Sequence, residues 1–388
     1  VVLVVFIVMA GAGLVLPILP LFARSFGVGY GAVGLLVSAY GLARLVFDLA
    51  AGRIVDRLGE RATAAGGLAV IAAGSALTGI ASSFAMAVAA WAAAGVGSAI
   101  ALAALYTRVL RVVPTQQMAR TLGIFYGAFN TGFVAGGAAS GVVAHRLGLA
   151  GPLLVNAVVV AMAAVLWLVL DSAARPGPAP AEGIPRPTSA EGGGLARLLR
   201  TPGLVPVVVT NFAYLWMVAV VFDTLVPLFA SDVLGLSTVG IGVLFAIALT
   251  AELVVLYPAG SVADQRGRKP VLVPALAGLA VATAAIGLAP TPLLLGVVLA
   301  VLGVMSGAAG VPPGAMLSDV APAQVSGTAV GVFRFCGDLG FTVGPLLAGW
   351  AVPVVGFGWA FVLAAVPTAV ALALILRTPE TLRPSGVT

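Results

Sequence analysis

From Val1 to Leu376 the chain is a succession of apolar runs, each about 20 residues or longer, the length a helix needs to cross ~30 Å of hydrocarbon. The runs are Val1–Phe22, Ala32–Ile54, Ala62–Ala81, Ala85–Leu110, Ala119–Ala144 and Gly151–Leu170, then Leu204–Ala230, Val239–Val262, Val271–Leu288, Leu293–Leu317, Gln324–Trp350 and Val355–Leu376. An all-α membrane protein with 12 spans, six on each side of the middle, is the expectation. Porin-like strands are excluded, because the apolar runs are long and unbroken rather than alternating. Composition agrees: 61% of residues are hydrophobic and 8% charged, with mean hydropathy +1.17, where soluble domains carry about 25% charge.

The second half repeats the first at a spacing of 208 residues. Gly52, Asp56, Gly59 and Arg61 return as Gly260, Asp264, Gly267 and Lys269; Pro114, Gly123, Gly132, Gly136 and Gly141 return as Pro322, Gly331, Gly340, Gly344 and Gly349. Nine matches in one register, a charged cluster among them, predict two pseudo-symmetric six-helix bundles. Residues 1–171 form the first and 204–388 the second, the latter with a short tail. Two such bundles enclose a central crevice, where membrane transporters commonly place a substrate site. Between them Ser172–Gly203 holds six prolines, six glycines, four arginines and two glutamates, and reads as a cytoplasmic linker over residues 172–203.

Basic residues orient the spans. With the N-terminus inside, fifteen fall on the cytoplasmic side: Arg53, Arg57, Arg61, Arg108, Arg111, Arg120, Arg175, Arg186, Arg197, Arg200, Arg266, Arg268, Lys269, Arg377 and Arg383. Only Arg24 and Arg146 fall outside, so both termini are expected in the cytoplasm of a cell inner (plasma) membrane protein. Held against anionic lipid headgroups, these arginines explain the +6 net charge without nucleic acid. Val1–Phe22 lacks a polar cleavage region, so a cleaved signal peptide is not expected. With no Met or basic flank before it, the chain is expected to begin slightly inside the natural one. Cys336 is the single cysteine and His145 the single histidine, so neither a disulfide framework nor a metal site is expected.

The loop Gly52-Arg-Ile-Val-Asp-Arg-Leu-Gly-Glu-Arg61 and its copy Gly260-Ser-Val-Ala-Asp-Gln-Arg-Gly-Arg-Lys269 resemble the signature G-x-x-x-D-R-x-G-R-K/R of the major facilitator superfamily. That signature stands between the second and third helices of the family and returns between the eighth and ninth. The resemblance covers the whole chain and implies the major facilitator fold, a small-molecule substrate, no cofactor and a monomer in the bilayer. It implies a cytoplasmic gate of Gly52, Asp56, Arg57, Gly59 and Arg61 with Gly260, Asp264, Gly267 and Arg268. Gly52 would admit a neighbouring helix and Gly59 a tight turn. Asp56 would accept hydrogen bonds from the amino end of span 11 near Ser326–Thr328, and Asp264 from span 5 near Ala119–Thr121. An alternative role for the arginines is topology alone.

Span 5 carries Gly132, Gly136, Gly137 and Gly141, resembling the G-x-x-x-G-P-x-x-G-G signature of the family's antiporters, with Gly137 in place of proline. Span 11 has Gly340, Gly344 and Pro345. Small residues four apart permit close packing and proline bends a span, which makes a pivot; ordinary packing is the other reading.

Six ionisable residues fall inside spans: Arg44, Asp48, Asp223, Glu252, Arg334 and Asp338. Each costs ~2.5–3.5 kcal/mol there on insertion scales, so a role is expected. Arg44 with Asp48, and Arg334 with Asp338, stand four apart and can pair, either as a fixed clamp or as a network rearranged by protons. Asp223 and Glu252 have no basic neighbour in sequence and are the better proton carriers. The R-x-x-x-G-x-G motif of proton-coupled members is incomplete: Gly95 and Gly97 are present, but Trp91 holds the place of arginine. Tyr40, Phe129, Asn130, Asn211, Tyr214 and Trp216 are candidates to line a cavity for apolar or amphipathic organic molecules. These features point to proton-coupled efflux of small organic or drug-like compounds by alternating access. Uptake or facilitated diffusion of a polar metabolite, and a sensor without transport, are the alternatives. A membrane enzyme is disfavoured, since no H-E-x-x-H or grouped histidines occur, and no P-loop marks an ATP-driven pump.

Overall fold

A computed structural model describes residues 1–113, 118–173, 201, 203–321 and 326–382. Residues 174–200 and 202 of the linker, Pro114 and Pro322, and with them Arg175, Arg186, Arg197, Arg200 and Arg383, lie outside the described residues. Among those described there are helices and no strand. In chain order they are α1 (Val2–Val15), α2 (Leu19–Arg24), α3 (Tyr30–Gly79), α4 (Phe84–Val112), α5 (Met118–Leu147) and α6 (Gly151–Ala173). There follow α7 (Leu204–Asp232), α8 (Thr238–Arg266), α9 (Lys269–Leu288), α10 (Pro292–Val320) and α11 (Ser326–Arg377).

Nine described helical segments are long and apolar enough to span a membrane, so the expected count of twelve is matched only in part. The shortfall has local causes. Pro17 cannot continue a helix, and the first span is split into two short helices around it. α5 is described incompletely. α11 runs for 52 residues but turns at Gly356, where φ is +77°. α3 likewise joins two spans through Gly59, whose φ of +76° and ψ of 158° suit glycine and strain a residue bearing a β-carbon.

One face of these helices is built for lipid. Along α6, Val158, Met162, Val165 and Val169 recur at helical spacing and stay 59–65% exposed. Such a stripe is unfavourable against water and at home in hydrocarbon. With the repeated apolar spans, it marks a multi-pass membrane protein.

Contacts divide the chain into two compact units. Unit 1 comprises Val1–Glu182, Val226–Ala246 and Pro345–Trp350. Its core joins Val4, Val5 and Val8 of α1, Leu68 and Ile71 of α3, Leu105 and Val109 of α4, and Val160 and Trp167 of α6. One buried polar pair crosses it, Asn156 Nδ2 donating to Ser75 Oγ at 2.8 Å. Unit 2 comprises Gly183–Leu225, Ile247–Gly344 and Ala351–Thr388. There α7 is tied to α11 twice: Asn211 Nδ2 donates to Phe333 O at 2.8 Å, and Trp216 Nε1 to Ala364 O at 3.2 Å.

Candidate functional site

The most chemically distinctive place in unit 2 is the middle of α8. Glu252 stands fourteen residues from either end of this 29-residue helix, about 21 Å from both at 1.5 Å per residue. α10 can come close because its facing residues are glycines: a β-carbon on Gly303 would meet Ala248 O, and one on Gly307 would meet Glu252 O. That approach brings Ser306 beside Tyr214 of α7. Ser306 Oγ donates to Tyr214 Oη at 3.4 Å, and Tyr214 Oη donates to Glu252 Oε1 at 3.1 Å. A hydroxyl chain therefore ends on a mid-span carboxyl, and among the described residues no cation pairs with it.

Asp223, 1% exposed, lies in a π-helical stretch, Val218–Leu225, inside α7. The wider turn is secured by Thr224 Oγ1 donating to Ala219 O five residues back, at 2.9 Å. Asp223 Oδ2 has no hydrogen-bond partner among the described residues. A buried carboxyl in an irregular helical turn is a costly arrangement, of the kind kept at functional positions.

The two signature loops form charge clusters, one in each unit. In unit 1, Glu60 takes the place where the family signature has arginine. Its Oε1 lies 2.6 Å from Arg111 Nη1 and its Oε2 3.5 Å from Arg108 Nη1, while Arg111 Nη2 also reaches Asp56 Oδ1 at 3.5 Å. Arg61 Nη2 donates to Leu168 O at 3.0 Å, near the end of α6. In unit 2, Arg268 pairs with Asp264 and, through Nε at 3.3 Å, with Asp319 Oδ2. Lys269 Nζ donates to Leu376 O at 3.2 Å. Beyond α11, Glu380 folds back, accepting from Arg268 N at 2.9 Å and Lys269 N at 3.0 Å. Burial alone would push the Glu380 carboxyl up; bonds from the main-chain N–H groups of Leu382, Arg268, Lys269 and Thr381 outweigh it and hold its pKa below the ordinary carboxylate value. Burial opposes the charge on Arg268, but its bonds to Asp264 and Asp319 and their negative charge outweigh that and raise its pKa.

The structure brings some sequence candidates together and separates others. Tyr214 and Glu252 meet, and Asn211 lies one turn from Tyr214 but is committed to Phe333 O. Trp216 is 9% exposed and stacked on Phe212 with centroids 5.9 Å apart, so its ring packs a helix contact instead of lining a space. Asn130 bonds its own helix at Tyr126 O, and Phe129 packs against the unit 1 core. Trp91, at the missing arginine, is buried against Tyr40 with ring centroids 5.0 Å apart.

Arg44 Nε lies 3.7 Å from Asp48 Oδ2; this pair belongs to unit 1, Arg334 and Asp338 to unit 2. Arg57 is exposed. A β-carbon on Gly52 would meet nothing within 4 Å, so the close helix approach expected there is absent among the described residues. Gly267 has φ of +108°, and a β-carbon on Gly260 would meet Val311. Gly132 and Gly136 pack on α1 at Phe6 and Ala10, and Gly340 and Gly344 on α7 at Phe212, Trp216 and Val220. The side chains of Ala119, Arg120 and Ser326, expected beside the loop acids, lie outside the described ones. Sequence reading missed Glu60, Ser306, Asp319 and Glu380. The 208-residue offset carried a signal for Asp319, which is the counterpart of Arg111. Among the described residues no three His, Cys, Asp or Glu gather as a metal site requires.

Comparison with known proteins agrees with this architecture. Several solved transporters share the fold. The D-xylose–proton symporter superposes with a TM-score of 0.79 at 15% identity, over 98% of each chain. A bacterial homologue of the human lysosomal transporter Spinster, inward-facing and occupied, gives 0.77 at 14% identity, over 97% of this chain and 96% of that one. In sequence, 146 residues are 25% identical to the quinolone resistance protein NorA of Staphylococcus aureus (strain MRSA252), covering 37% of this chain and 38% of that protein. Over 140 residues the chain is 26% identical to multidrug resistance protein 2 of Bacillus subtilis (strain 168), covering 36% and 35%. The matched stretch thus spans less than two fifths of these relatives. The profile of the Major Facilitator Superfamily matches residues 1–252 and 234–387. The chain belongs to the Major Facilitator Superfamily, a family of membrane transporters and not of enzymes.

Proposed function

We propose that the protein is a proton-coupled exporter of small organic, drug-like compounds, working by alternating access in the plasma membrane with both termini in the cytoplasm. The observation that carries this reading is Glu252, a mid-span carboxyl satisfied by the hydroxyl chain of Tyr214 and Ser306 and, among the described residues, not by a cation. Protonation removes its charge, and a neutral carboxyl can donate to Tyr214 Oη where the carboxylate only accepts. Loading and unloading one proton thereby resets the hydroxyl chain that joins α7, α8 and α10. One charge moved through 100 mV is worth ~2.3 kcal/mol, enough to shift a two-state equilibrium by more than tenfold. Asp223, buried on the same α7, is a second proton carrier. The matched relatives' names, quinolone and multidrug resistance, support export of organic compounds. The chain works as a monomer, with the substrate, protons and the bilayer as its partners.

The test is flux in proteoliposomes holding a lipophilic cationic dye, with and without an imposed pH gradient. Dye moving against its own gradient, driven by protons, is the expected result. Equilibration at the same rate and to the same extent without the gradient overturns the proposal.

A further inference from the structure

At the end of unit 1 opposite the Gly59 turn, α2, the start of α3 and the last turn of α7 meet. Tyr30 Oη donates to Asp232 Oδ2 at 2.8 Å, and Arg24 Nη2 lies 3.7 Å from the same oxygen. Arg24 is also held over the Tyr30 ring, 4.7 Å from its centroid, and its Nη1 donates to Val28 O at 2.7 Å. Two groups, the Tyr30 hydroxyl and the Arg24 guanidinium, thus converge on one carboxylate oxygen. Arg24 and Asp232 are the same position in the two copies, since 24 plus 208 is 232. Identical charged residues at such equivalent positions would repel; divergence to opposite charges makes this contact attractive.

The helix crossings beside it are also duplicated. A β-carbon on Gly141 would meet Thr238 O, and one on Gly349 would meet Tyr30 O; both the glycines and their partners are 208 residues apart. Gly34 in turn faces Pro345 O, and Gly242 faces Gly141. At these glycines the helices approach backbone against backbone, and the Trp350 side chain packs beside them at Gly31. What distinguishes the α3–α11 crossing from its twin is Tyr30, which carries the link to Asp232. The side chains of Arg24 and Asp232 keep 37% and 25% of their exposure, so water can replace the contact when it opens.

We infer that Arg24, Tyr30 and Asp232 form the latch that holds the outer mouth closed, and that release of Asp232 admits the outward-open state. The inference rests on the alternating-access reading and on the orientation set by the basic loops, and it concerns only when the outer mouth opens.

The test reads accessibility and does not need transport. Ser38, 4% exposed, follows Tyr30 and Gly34 by one-turn steps on the same face of α3. With Cys336→Ser as background, Ser38→Cys places a single thiol behind the latch. A membrane-impermeant maleimide added outside intact cells should label it slowly. In Asp232→Asn labelling should be about two- to fivefold faster, the scale of one exposed charge-assisted contact. Arg24→Gln and Tyr30→Phe should fall between. Exchanging the charges, Arg24→Asp with Asp232→Arg, should bring the rate back toward the parent value, which a damaged fold would not do. Unchanged labelling in Asp232→Asn, or fast labelling in the exchanged variant, overturns the latch. Loss of dye flux with these labelling rates as expected would count against the transport reading and leave the latch standing.

Discussion

In the first signature loop Glu60 lies between Arg108 and Arg111; in the second Arg268, 208 residues on, lies between Asp264 and Asp319, and Asp319 is the counterpart of Arg111. The same bridge is built twice with its charges exchanged. Around it the main-chain contacts are copied with the sign kept: Arg61 to Leu168 O in one loop and Lys269 to Leu376 O in the other, both pairs 208 apart. The comparison teaches that what persists between the copies is an attraction tying the loop to the end of α4 or α10. Which side carries the positive charge is free to change. The carbonyl contact permits no such inversion, because a helix C-terminus favours a cation. Among the described residues the second loop alone has a further strap, Glu380 with its four main-chain donors.

The comparison can be broken most severely at Arg111. Arg111→Asp sets an acid against Glu60 and Asp56 and should cost about 2–3 kcal/mol, less than a fully buried pair because Arg111 keeps 40% exposure. Thermal melting of the purified protein in detergent reads it. Adding Glu60→Arg and Arg108→Met, Met316 being the counterpart of Arg108, copies the second loop into the first. This triple variant should return to within about 1 kcal/mol of the parent. If it melts no higher than Arg111→Asp alone, the two bridges are not equivalent.

Next in size is the strap. Glu380→Ala removes charge-assisted bonds and should cost about 1–2 kcal/mol, discounted for exposure. The carboxyl's folded pKa is held low, so its contribution is complete above the ordinary carboxylate value and is lost as pH falls through the folded one. Melting temperatures of parent and variant should therefore differ at pH 7 and converge well below pH ~4.3. Hydrogen exchange should rise around Arg268–Lys269 in this variant and stay unchanged around Glu60–Arg61. Smallest are the carbonyl contacts: Arg61→Ala and Lys269→Ala should each cost about 0.3–1 kcal/mol, and by similar amounts.

Much of this organisation was legible in the residues because lipid leaves few choices. Runs of about 20 apolar residues in a chain with 8% charge must be helices, since only internal hydrogen bonding satisfies the backbone in hydrocarbon. The isolated acids Asp223 and Glu252 stood out for the same reason. What stayed hidden depends on contacts far apart in the chain. Glu60 finds Arg111 51 residues away, and Glu380 finds Arg268 112 residues away. The π-helical stretch around Asp223 has no periodicity of its own within a wholly apolar span. Among the described residues nothing approaches Gly52; a glycine in a motif does not reveal what packs on it, whereas Gly59 and Gly267 serve backbone conformations with positive φ.

The proposal that Glu252 links proton movement to export is tested most directly by Glu252→Gln in proteoliposomes, reading gradient-driven dye accumulation and dye–dye exchange side by side. The amide keeps an acceptor for Tyr214 but binds no proton in the working pH range. The predicted result is exchange retained while accumulation against a gradient is lost. Full proton-driven accumulation in Glu252→Gln would contradict the assignment.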